Sequence, residues 1–381
     1  MTFRTPRSKP NAGARRADAR FGRIVLHIGT EKTGTSALQL YLERHRKALS
    51  RASVAYPPSP TATSQWQFVA AVHEAPWTDD DFAREFEVRD AEAQERLRAD
   101  LRDQVAVLAA RHPGGTLIVS SEHFHSRISS GDEVRRLRDL LAPHTADFEI
   151  VVYFRRQDEA AVSLRSTFVK SGNNLAADTL TLAPPEALPL FHYDDLYERW
   201  AGVFGAEAMR PRLYAWASAH QGGIVGDFFE ASGLPLPAPP QPRDGGPANP
   251  SLSREGYLFL REANAHLKGQ GAEADALRRN LAERVSRLMP GKFHPFGAPQ
   301  ARAFTDRFAD RNERLRQLAF PDEPAPLFGT DYGGLPEAPD AQEATPADIA
   351  AAAIRLLRAE PDMTPAKRLG RLVRRRGRDA P

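Results

Sequence analysis

The sequence predicts an α/β fold in which a parallel β-sheet is flanked by helices. Short runs of apolar and β-branched residues alternate with segments whose apolar residues recur at helical spacing, a pattern typical of such sheets. A glycine-containing turn separates the first run from the first helical segment. The chain has 381 residues, 41% of them hydrophobic and 27% charged, and is therefore long enough to bury a sizeable core.

Five short segments are predicted as strands. The first, RIVLHI, and the most apolar, FEIVVYF, are too short for buried helices and are rich in β-branched or aromatic residues. The predicted strands span residues 23–28, 53–56, 116–121, 148–154 and 210–216.

The segments between and after these strands are predicted as helices, because their apolar residues recur every three or four positions. Proline or glycine follows several of them, as at Pro143 and Gly233. The predicted helices span residues 36–50, 81–111, 132–142, 157–169, 194–204, 222–233, 253–268, 273–288, 299–318 and 346–358.

Composition along the chain predicts four regions. Residues 1–21 are basic and are expected to form a flexible tail, and residues 22–320 carry the α/β domain with extra C-terminal helices. Residues 321–345 are rich in Pro, Asp, Glu and Gly and are predicted to be a linker. Residues 346–381 combine a short Ala-rich helix with a basic tail.

The overall composition excludes several functions. There are 52 Lys and Arg against 49 Asp and Glu, a net charge of +3, which is too balanced for a general nucleic-acid binder. The absence of cysteine excludes disulfides, thiolate catalysis and Cys-ligated zinc. No secretory signal is recognisable, and no apolar run approaches the ~18 residues of a membrane span, so a cytoplasmic location is expected.

The strongest functional motif is GTEKTGTS at residues 29–36, between the first predicted strand and helix. Consecutive backbone N–H groups in such a turn, next to a helix N-terminus, form an anion site. Lys32 adds a positive charge, and Thr33, Thr35 and Ser36 add hydroxyl groups. The motif therefore predicts a phosphate-binding loop.

This loop differs from the Walker A motif of nucleotide hydrolases. Gly29 and Gly34 have the Walker A spacing, but Thr35 stands where that motif has its lysine. The lysine lies instead inside the turn, at position 32. The usual lysine for a nucleotide γ-phosphate is thus missing.

A second motif, YFRRQDEAAVS, follows the clearest strand. Arg155 and Arg156 come at its carboxyl end, the edge at which ligands bind in open α/β sheets, and Ser163 lies eight residues after Arg155 on the next helix. Arg155 and Ser163 can hold a further phosphate together. The alternative is that the two arginines pair with nearby acids such as Asp158.

Together the two motifs resemble those of PAPS-dependent sulfotransferases, which have a P-loop-type α/β fold. PAPS is 3′-phosphoadenosine 5′-phosphosulfate. HIGTEKTGTSALQLYL is similar to the family's 5′-phosphosulfate loop, which places the donor on the segment Glu31, Lys32, Thr33, Gly34, Thr35 and Ser36. VVYFRRQDEAAVSL is similar to its 3′-phosphate motif, with Arg155 and Ser163 at the family's spacing.

Later segments extend the resemblance to roughly residues 22–330. NPSLSREGYLFLREAN and FADRNERLRQLAFP are similar to bacterial polysaccharide-type members. The Arg-Lys-Gly motif that contacts adenine in small-molecule members is absent. The resemblance therefore implies an enzyme that moves a sulfuryl group from PAPS to an acceptor hydroxyl, favours a carbohydrate acceptor, and implies no metal.

A third segment, SSEHFHS at residues 120–126, ends the third strand and supplies the candidate bases. In a P-loop sheet this strand end neighbours the phosphate loop, so Glu122 or His125 is placed to take the acceptor proton. If the strand continues, His123 and His125 share one face. Glu31 and His73 are further candidates for the base, while His27 is expected to be a core or supporting residue.

Lys32 completes the predicted catalytic set, because its charge can neutralise the oxygen that leaves with the donor phosphate. Two alternatives stay open on the same fold. One is a nucleotide-dependent kinase, against which the displaced lysine argues; the other is a non-catalytic binding protein.

Overall fold

In the computed structural model, residues 19–59, 64–74, 86–240 and 251–359 are described. The chain divides into two compact units. Unit 1 comprises Met1–Phe154 and Asp195–Gly246, and unit 2 comprises Arg155–Asp194 and Pro247–Pro381. Most of the predicted N-terminal tail and the basic tail after residue 359 lie outside the described residues. The four regions inferred from composition stay a prediction.

Unit 1 contains a five-stranded sheet in the order β2-β3-β1-β4-β5, with every neighbouring pair parallel. This confirms the predicted α/β class. The strands are β1 (Arg23–His27), β2 (Val54–Ala55), β3 (Thr116–Ser120), β4 (Phe148–Phe154) and β5 (Met209–Leu213).

Helices occupy most of the remaining described chain. The first eight are α1 (Thr35–Arg44), α2 (Arg46–Arg51), α3 (Gln67–Val72), α4 (Ala91–Arg111), α5 (His123–Ser126), α6 (Gly131–Leu141), α7 (Gln157–Ser171) and α8 (Asn174–Leu182). The next eight are α9 (Tyr193–Phe204), α10 (Tyr214–Ala219), α11 (Gly223–Ala231), α12 (Arg254–Leu267), α13 (Ala272–Leu288), α14 (Ala298–Asp306), α15 (Ala309–Ala319) and α16 (Pro346–Arg358). Short 3₁₀ turns lie at Ala142–His144, Pro185–Ala187, Pro189–Phe191 and Ala206–Ala208.

Four of the five predicted strands are shorter than expected, and two of them end where a parallel partner strand ends. The fifth strand is predicted to extend to residue 216. The observed strand β5 ends at Leu213, which lies opposite Phe154, the last residue of its partner β4. The chain then turns into α10. Similarly, β3 ends at Ser120, opposite His27, the last residue of β1.

The strand β3 therefore does not continue through the two histidines. Residues 123–126 form the single helical turn α5 instead. His123 stacks on Trp66 with ring centroids 4.8 Å apart, whereas the backbone N–H of Glu31 lies 3.3 Å from Nδ1 of His125. The two imidazoles thus have different surroundings.

Several helix boundaries also differ from the prediction. The first predicted helix is two helices, α1 and α2, separated at His45, and the helix predicted at 299–318 is interrupted between α14 and α15. The long helix α4 begins at Ala91, because the side chain of Asp90 caps its N-terminus by accepting from Ala93 N at 2.7 Å. Phe21, assigned to the tail, is buried, and its N–H donates to His144.

Unit 1 is held together by apolar side chains on one face of the sheet. Val25, Ile118 and Val151 from three neighbouring strands pack with Leu38 of α1 and Phe228 of α11, all fully buried. Burial of such side chains is the main favourable contribution to folding, about 25 cal/mol per Å² of apolar surface. This core fixes the sheet and α1, between which the phosphate loop runs.

Unit 2 has its own core, formed mainly by α7, α8, α12, α13 and α16. The cluster contains Val169, Ala177, Tyr257, Leu260, Val285, Phe293 and Leu356, together with neighbouring apolar residues. Part of the segment predicted as a linker is also buried, since Leu327, Phe328 and Tyr332 are less than one-tenth exposed. These packed residues position the N-terminal half of α7.

A buried carboxylate joins α3 to the start of α6. Glu133 accepts hydrogen bonds from His73 Nδ1 (2.9 Å) and from the backbone N–H groups of Glu74, Ser129 and Ser130 (2.8, 2.6 and 3.0 Å). Burial raises the pKa of this carboxyl, but the hydrogen bonds outweigh burial and lower the pKa to about 2.

We expect Glu133→Ala to lower the free energy of unfolding by about 2 kcal/mol, because it leaves buried donors without an acceptor. An ordinary Glu titrates at 4.5, so the carboxylate stabilises the folded state above that pH, and this stabilisation is lost as the pH falls toward 2. Urea unfolding at several pH values measures both effects. Glu92→Ala, at an exposed position, is the control, and identical acid unfolding of the Glu133 variant and wild type would contradict the assignment.

Candidate functional site

The candidate site lies at the carboxyl edge of the sheet in unit 1. After β1 the chain leads toward β2, at one edge of the sheet, and after β4 it leads toward β5, at the opposite edge. The carboxyl ends of β1 and β4 are therefore a topological switch point, where open α/β sheets bind their ligands. The phosphate loop directly follows β1, and Arg155 directly follows β4 in the chain.

The first part of the loop is fixed by hydrogen bonds to β4. Tyr153 N donates to Gly29 O (2.7 Å), and Thr30 N donates to Tyr153 O (3.0 Å). The hydroxyl of Thr30 donates to the same carbonyl at 2.9 Å. Thr33 Oγ1 then closes the turn by donating to Thr30 O at 2.6 Å. The loop is thus anchored before it reaches α1.

The second part of the loop presents unpaired backbone donors. Among the described residues, no acceptor receives the N–H groups of the four residues Thr33, Gly34, Thr35 and Ser36. These are the N–H groups that a helix start leaves without intrahelical partners. The first turn of α1 also carries no acidic side chain that would neutralise its positive end. An anion with several acceptor oxygens satisfies these donors.

The loop backbone includes three residues with positive φ, the first of which is Gly29, with φ of 98°. Gly34, the residue before α1, has φ of 83°, and a β-carbon there would lie 3.2 Å from Ile224 Cγ2. Lys32 has φ of 66°, which is uncommon for a residue with a side chain. Lys32 is partly exposed in the turn that precedes the free N–H groups. The fold therefore keeps a lysine at a backbone position that ordinarily favours glycine.

Glu122 lies next to the loop and is held from α1. Its Oε2 accepts a hydrogen bond from Gln39 Nε2 at 2.7 Å, and Gln39 is buried. A β-carbon on Gly29 would lie 3.2 Å from Glu122 Cα, so the loop and this residue approach closely. Sequence analysis missed Gln39, although a single polar residue inside the apolar stretch ALQLYL was a signal for it.

His125 contacts the loop through its ring. The backbone N–H of Glu31 donates to Nδ1 of His125 at 3.3 Å, and the His125 side chain is buried. A nitrogen that accepts this bond carries no proton, so a neutral His125 has its proton on Nε2 and can only donate there. This geometry fits a role of His125 in positioning the loop better than it fits a role in removing a proton.

His73, a further candidate base, and His27, expected to be a core or supporting residue, have separate surroundings. His73 is bonded to Glu133 in the α3–α6 network. His27 is fully buried, with Nδ1 2.8 Å from Ser120 Oγ, and burial lowers its pKa to about 4 although Glu122 opposes this. His27 is therefore neutral in the core near neutral pH, consistent with the supporting role expected from sequence.

In unit 2, Arg155 and Ser163 line one cavity of about 400 Å³. Arg155 Nε donates to Glu159 at 3.0 Å, one helical turn further along α7. Arg156 instead forms a two-pronged ion pair with the buried Asp158, at 2.7 and 3.1 Å. The alternative, that the arginines pair with nearby acids, therefore applies best to Arg156. Its two bonds to the buried Asp158 give Arg156 a structural role.

The described residues contain no group of three or more His, Asp or Glu side chains arranged to hold a metal ion. Within those same ranges, no helix is both long enough and apolar enough to cross a membrane.

The fold and the loop define an α/β protein in which a strand–turn–helix loop with free N–H groups among the described residues lies at a switch point, with a carboxylate beside it. No protein-family model matches the sequence, and a search of curated proteins finds no match. Among solved structures, the chain is similar to a sulfotransferase from Alicyclobacillus acidocaldarius, with 17% identity and a TM-score of 0.38 over 66% of this chain and 98% of that one. It is also similar to the sulfotransferase domain of the olefin synthase of Synechococcus PCC 7002, with 12% identity and a TM-score of 0.33 over 75% and 94%.

Proposed function

We propose that the protein is a sulfotransferase that moves a sulfuryl group from PAPS to an acceptor hydroxyl, with a carbohydrate as the favoured acceptor. The observation that carries the proposal is the loop after β1. Four successive N–H groups, from Thr33 to Ser36, receive no acceptor from the described part of the chain and follow a lysine inside the turn. These groups fit the 5′-phosphosulfate of the donor, and the sequence resemblance of both motifs supports the same ligand.

In this proposal the loop N–H groups bind the 5′-phosphate and hold the sulfuryl group for attack. The acceptor oxygen forms a bond to sulfur while the bond from sulfur to the bridging oxygen breaks. Lys32 stabilises the negative charge that grows on that bridging oxygen. Glu122 takes the proton of the acceptor hydroxyl, and Gln39 orients the carboxylate for this role. His125 holds the loop through Glu31 N.

A thermal-shift comparison of PAP, the desulfonated donor, with ATP and GTP tests the proposal. Preferential stabilisation by PAP is expected, because a ligand that binds only the folded state raises the melting temperature. Stabilisation by ATP or GTP alone would favour the kinase alternative. Sulfation of a carbohydrate pool by PAPS, followed by mass spectrometry, then separates an enzyme from a non-catalytic binding protein.

We expect Arg155→Ala to weaken PAP binding at least tenfold, because the charged guanidinium bonds the 3′-phosphate together with Ser163. Binding of adenosine 5′-phosphosulfate, which lacks that phosphate, should change less than twofold. Titration calorimetry with both ligands measures the difference. Arg279→Ala, on the exposed face of α13, is the matched control. Equal losses for both ligands would show that Arg155 does not bind the 3′-phosphate.

A further inference from the structure

The helix α16 of unit 2 has one buried face and one exposed apolar face. Ala352 and Leu356, four residues apart, are buried in the core of unit 2. Ile354 and Leu357 lie on the other side of the helix, where 48% and 69% of their surface is exposed. Single exposed aliphatic residues are ordinary on protein surfaces, so the surroundings of these two decide whether the face has a function.

The helix is anchored to the rest of unit 2 at both ends. Arg284 of α13 donates to Leu356 O at 2.7 Å, near the C-terminus of α16. At the N-terminus, the side chain of Thr345 caps the helix, and Asp348 forms an ion pair with Arg254 at 2.9 Å. The exposed face of α16 is therefore presented in one orientation.

Three arginines lie beside the exposed face. Arg287, Arg355 and Arg358 line an open groove of about 890 Å³ between α13 and α16, and Ile354 lines the same groove. The three arginines are exposed, and none of their guanidinium groups bonds to a described residue. Among the described residues that line the groove, none is acidic. This surface combines exposed aliphatic groups with positive charge.

The sequence that follows α16 is also basic. Seven Lys and Arg residues lie between positions 367 and 378, with no Asp or Glu among them. Residues after 359 lie outside the described part of the chain, and only their charge is used here as an argument. Clusters of Lys and Arg associated with an amphipathic helix are typical of proteins that bind anionic lipids.

An anionic lipid surface satisfies both parts of this face. Its headgroups carry negative charge for the arginines, and the boundary beneath them accepts aliphatic side chains to a depth of about 5–10 Å. A polyanionic polysaccharide would pair with the arginines but would leave Ile354 and Leu357 in water. The helix α8 provides a contrast, because its Leu182 is 81% exposed but the helix contains no Lys or Arg.

We infer that the exposed face of α16 and the adjoining end of α13 attach the protein to membranes that contain anionic phospholipids. Ile354 and Leu357 enter the boundary between headgroups and acyl chains, while the three arginines of the groove pair with the headgroups. The attachment is peripheral and reversible, because two aliphatic side chains bury little surface. It is independent of the proposed sulfuryl transfer, since none of these residues belongs to the candidate site.

Sedimentation with lipid vesicles tests the inference on the 381-residue chain. We expect binding to vesicles of phosphatidylcholine with about one-third phosphatidylserine, and little binding to phosphatidylcholine alone. Arg358→Gln should weaken binding to the mixed vesicles about fivefold, the contribution of one positive charge near an anionic surface. Leu357→Asn should weaken it about tenfold, because a polar amide replaces the aliphatic group that enters the membrane.

Two exposed residues outside the groove provide matched controls. Leu182→Asn on α8 and Arg279→Gln on α13 make the same changes of side chain and should alter binding less than twofold. Thermal unfolding followed by circular dichroism verifies that all four variants are folded, as expected for exposed positions.

The other outcomes would overturn the inference. These are failure of the wild-type protein to bind the mixed vesicles, equal binding to both kinds of vesicle, and equal weakening by the α16 variants and the controls. Heparin, a soluble sulfated polysaccharide, provides a further comparison. Binding of heparin that depends on Arg358, without binding of vesicles, would make this surface a polysaccharide site and the membrane inference wrong.

Discussion

Lys32→Met is expected to lower the turnover number about 100-fold or more, while the dissociation constant of PAP rises much less. The charge of Lys32 matters most when the bridging oxygen becomes negative, which happens in the transition state and not in the bound donor. Removal of a single charge-stabilising donor from an active site has an effect of about this size. Initial rates at saturating PAPS, together with PAP titration, measure both quantities.

The backbone at position 32 makes Met a better test than Gly. Lys32 has φ of 66°, and Met keeps the β-carbon, so the cost of the left-handed conformation stays the same. A glycine would change the loop backbone as well as the charge. Lys47→Met, on the exposed face of α2, is the control for loss of a lysine. Near-normal turnover of Lys32→Met would remove this residue from the mechanism.

Glu122→Gln is expected to lower the rate of transfer about 10²- to 10⁴-fold, the usual contribution of a general base, with PAP affinity retained. The amide oxygen of Gln can still accept the bond from Gln39, so the position of the side chain is preserved. What the variant lacks is a group that takes a proton. Glu92→Gln, on the exposed face of α4, is the control.

His125 is distinguished from Glu122 by two substitutions. The amide oxygen of Asn can replace Nδ1 as the acceptor of Glu31 N–H, so His125→Asn should keep an appreciable rate if the residue positions the loop. His125→Ala removes the acceptor and should be slower than His125→Asn. The pH profile alone is not decisive, because His125 must be neutral in either role. An active Glu122→Gln enzyme with an inactive His125→Asn enzyme would make His125 the base.

Contiguous motifs of this chain are recognisable from sequence, whereas contacts between distant segments are not. The residues of the phosphate loop were recognisable from sequence because strand, glycine turn and helix are contiguous, and their order fixes which N–H groups lack partners. Four of the five strands were also recognisable as short apolar runs, whereas β5 contains two arginines and a proline. The strand order β2-β3-β1-β4-β5 follows only from packing.

The roles of the two candidate bases depended on tertiary structure. Sequence placed Glu122 and His125 after the same strand, but the strand ends at Ser120 because its partner β1 ends at His27. The resulting helical turn sends His125 to the loop backbone and brings Glu122 against Gln39, 83 residues earlier in the chain. No local pattern encodes contacts between such distant residues.

By itself, the sequence determined the fold class, the place of the loop at residues 29–36 between a strand and a helix, and the spacing of Arg155 and Ser163, because each depends on neighbouring residues in one or two elements. Only the tertiary structure decided that Arg156 is tied to Asp158, and that Gln39 of α1 meets Glu122. Hydrogen-bond satisfaction is a property of the packed chain. It depends on which groups meet after burial, and a linear pattern does not contain that information.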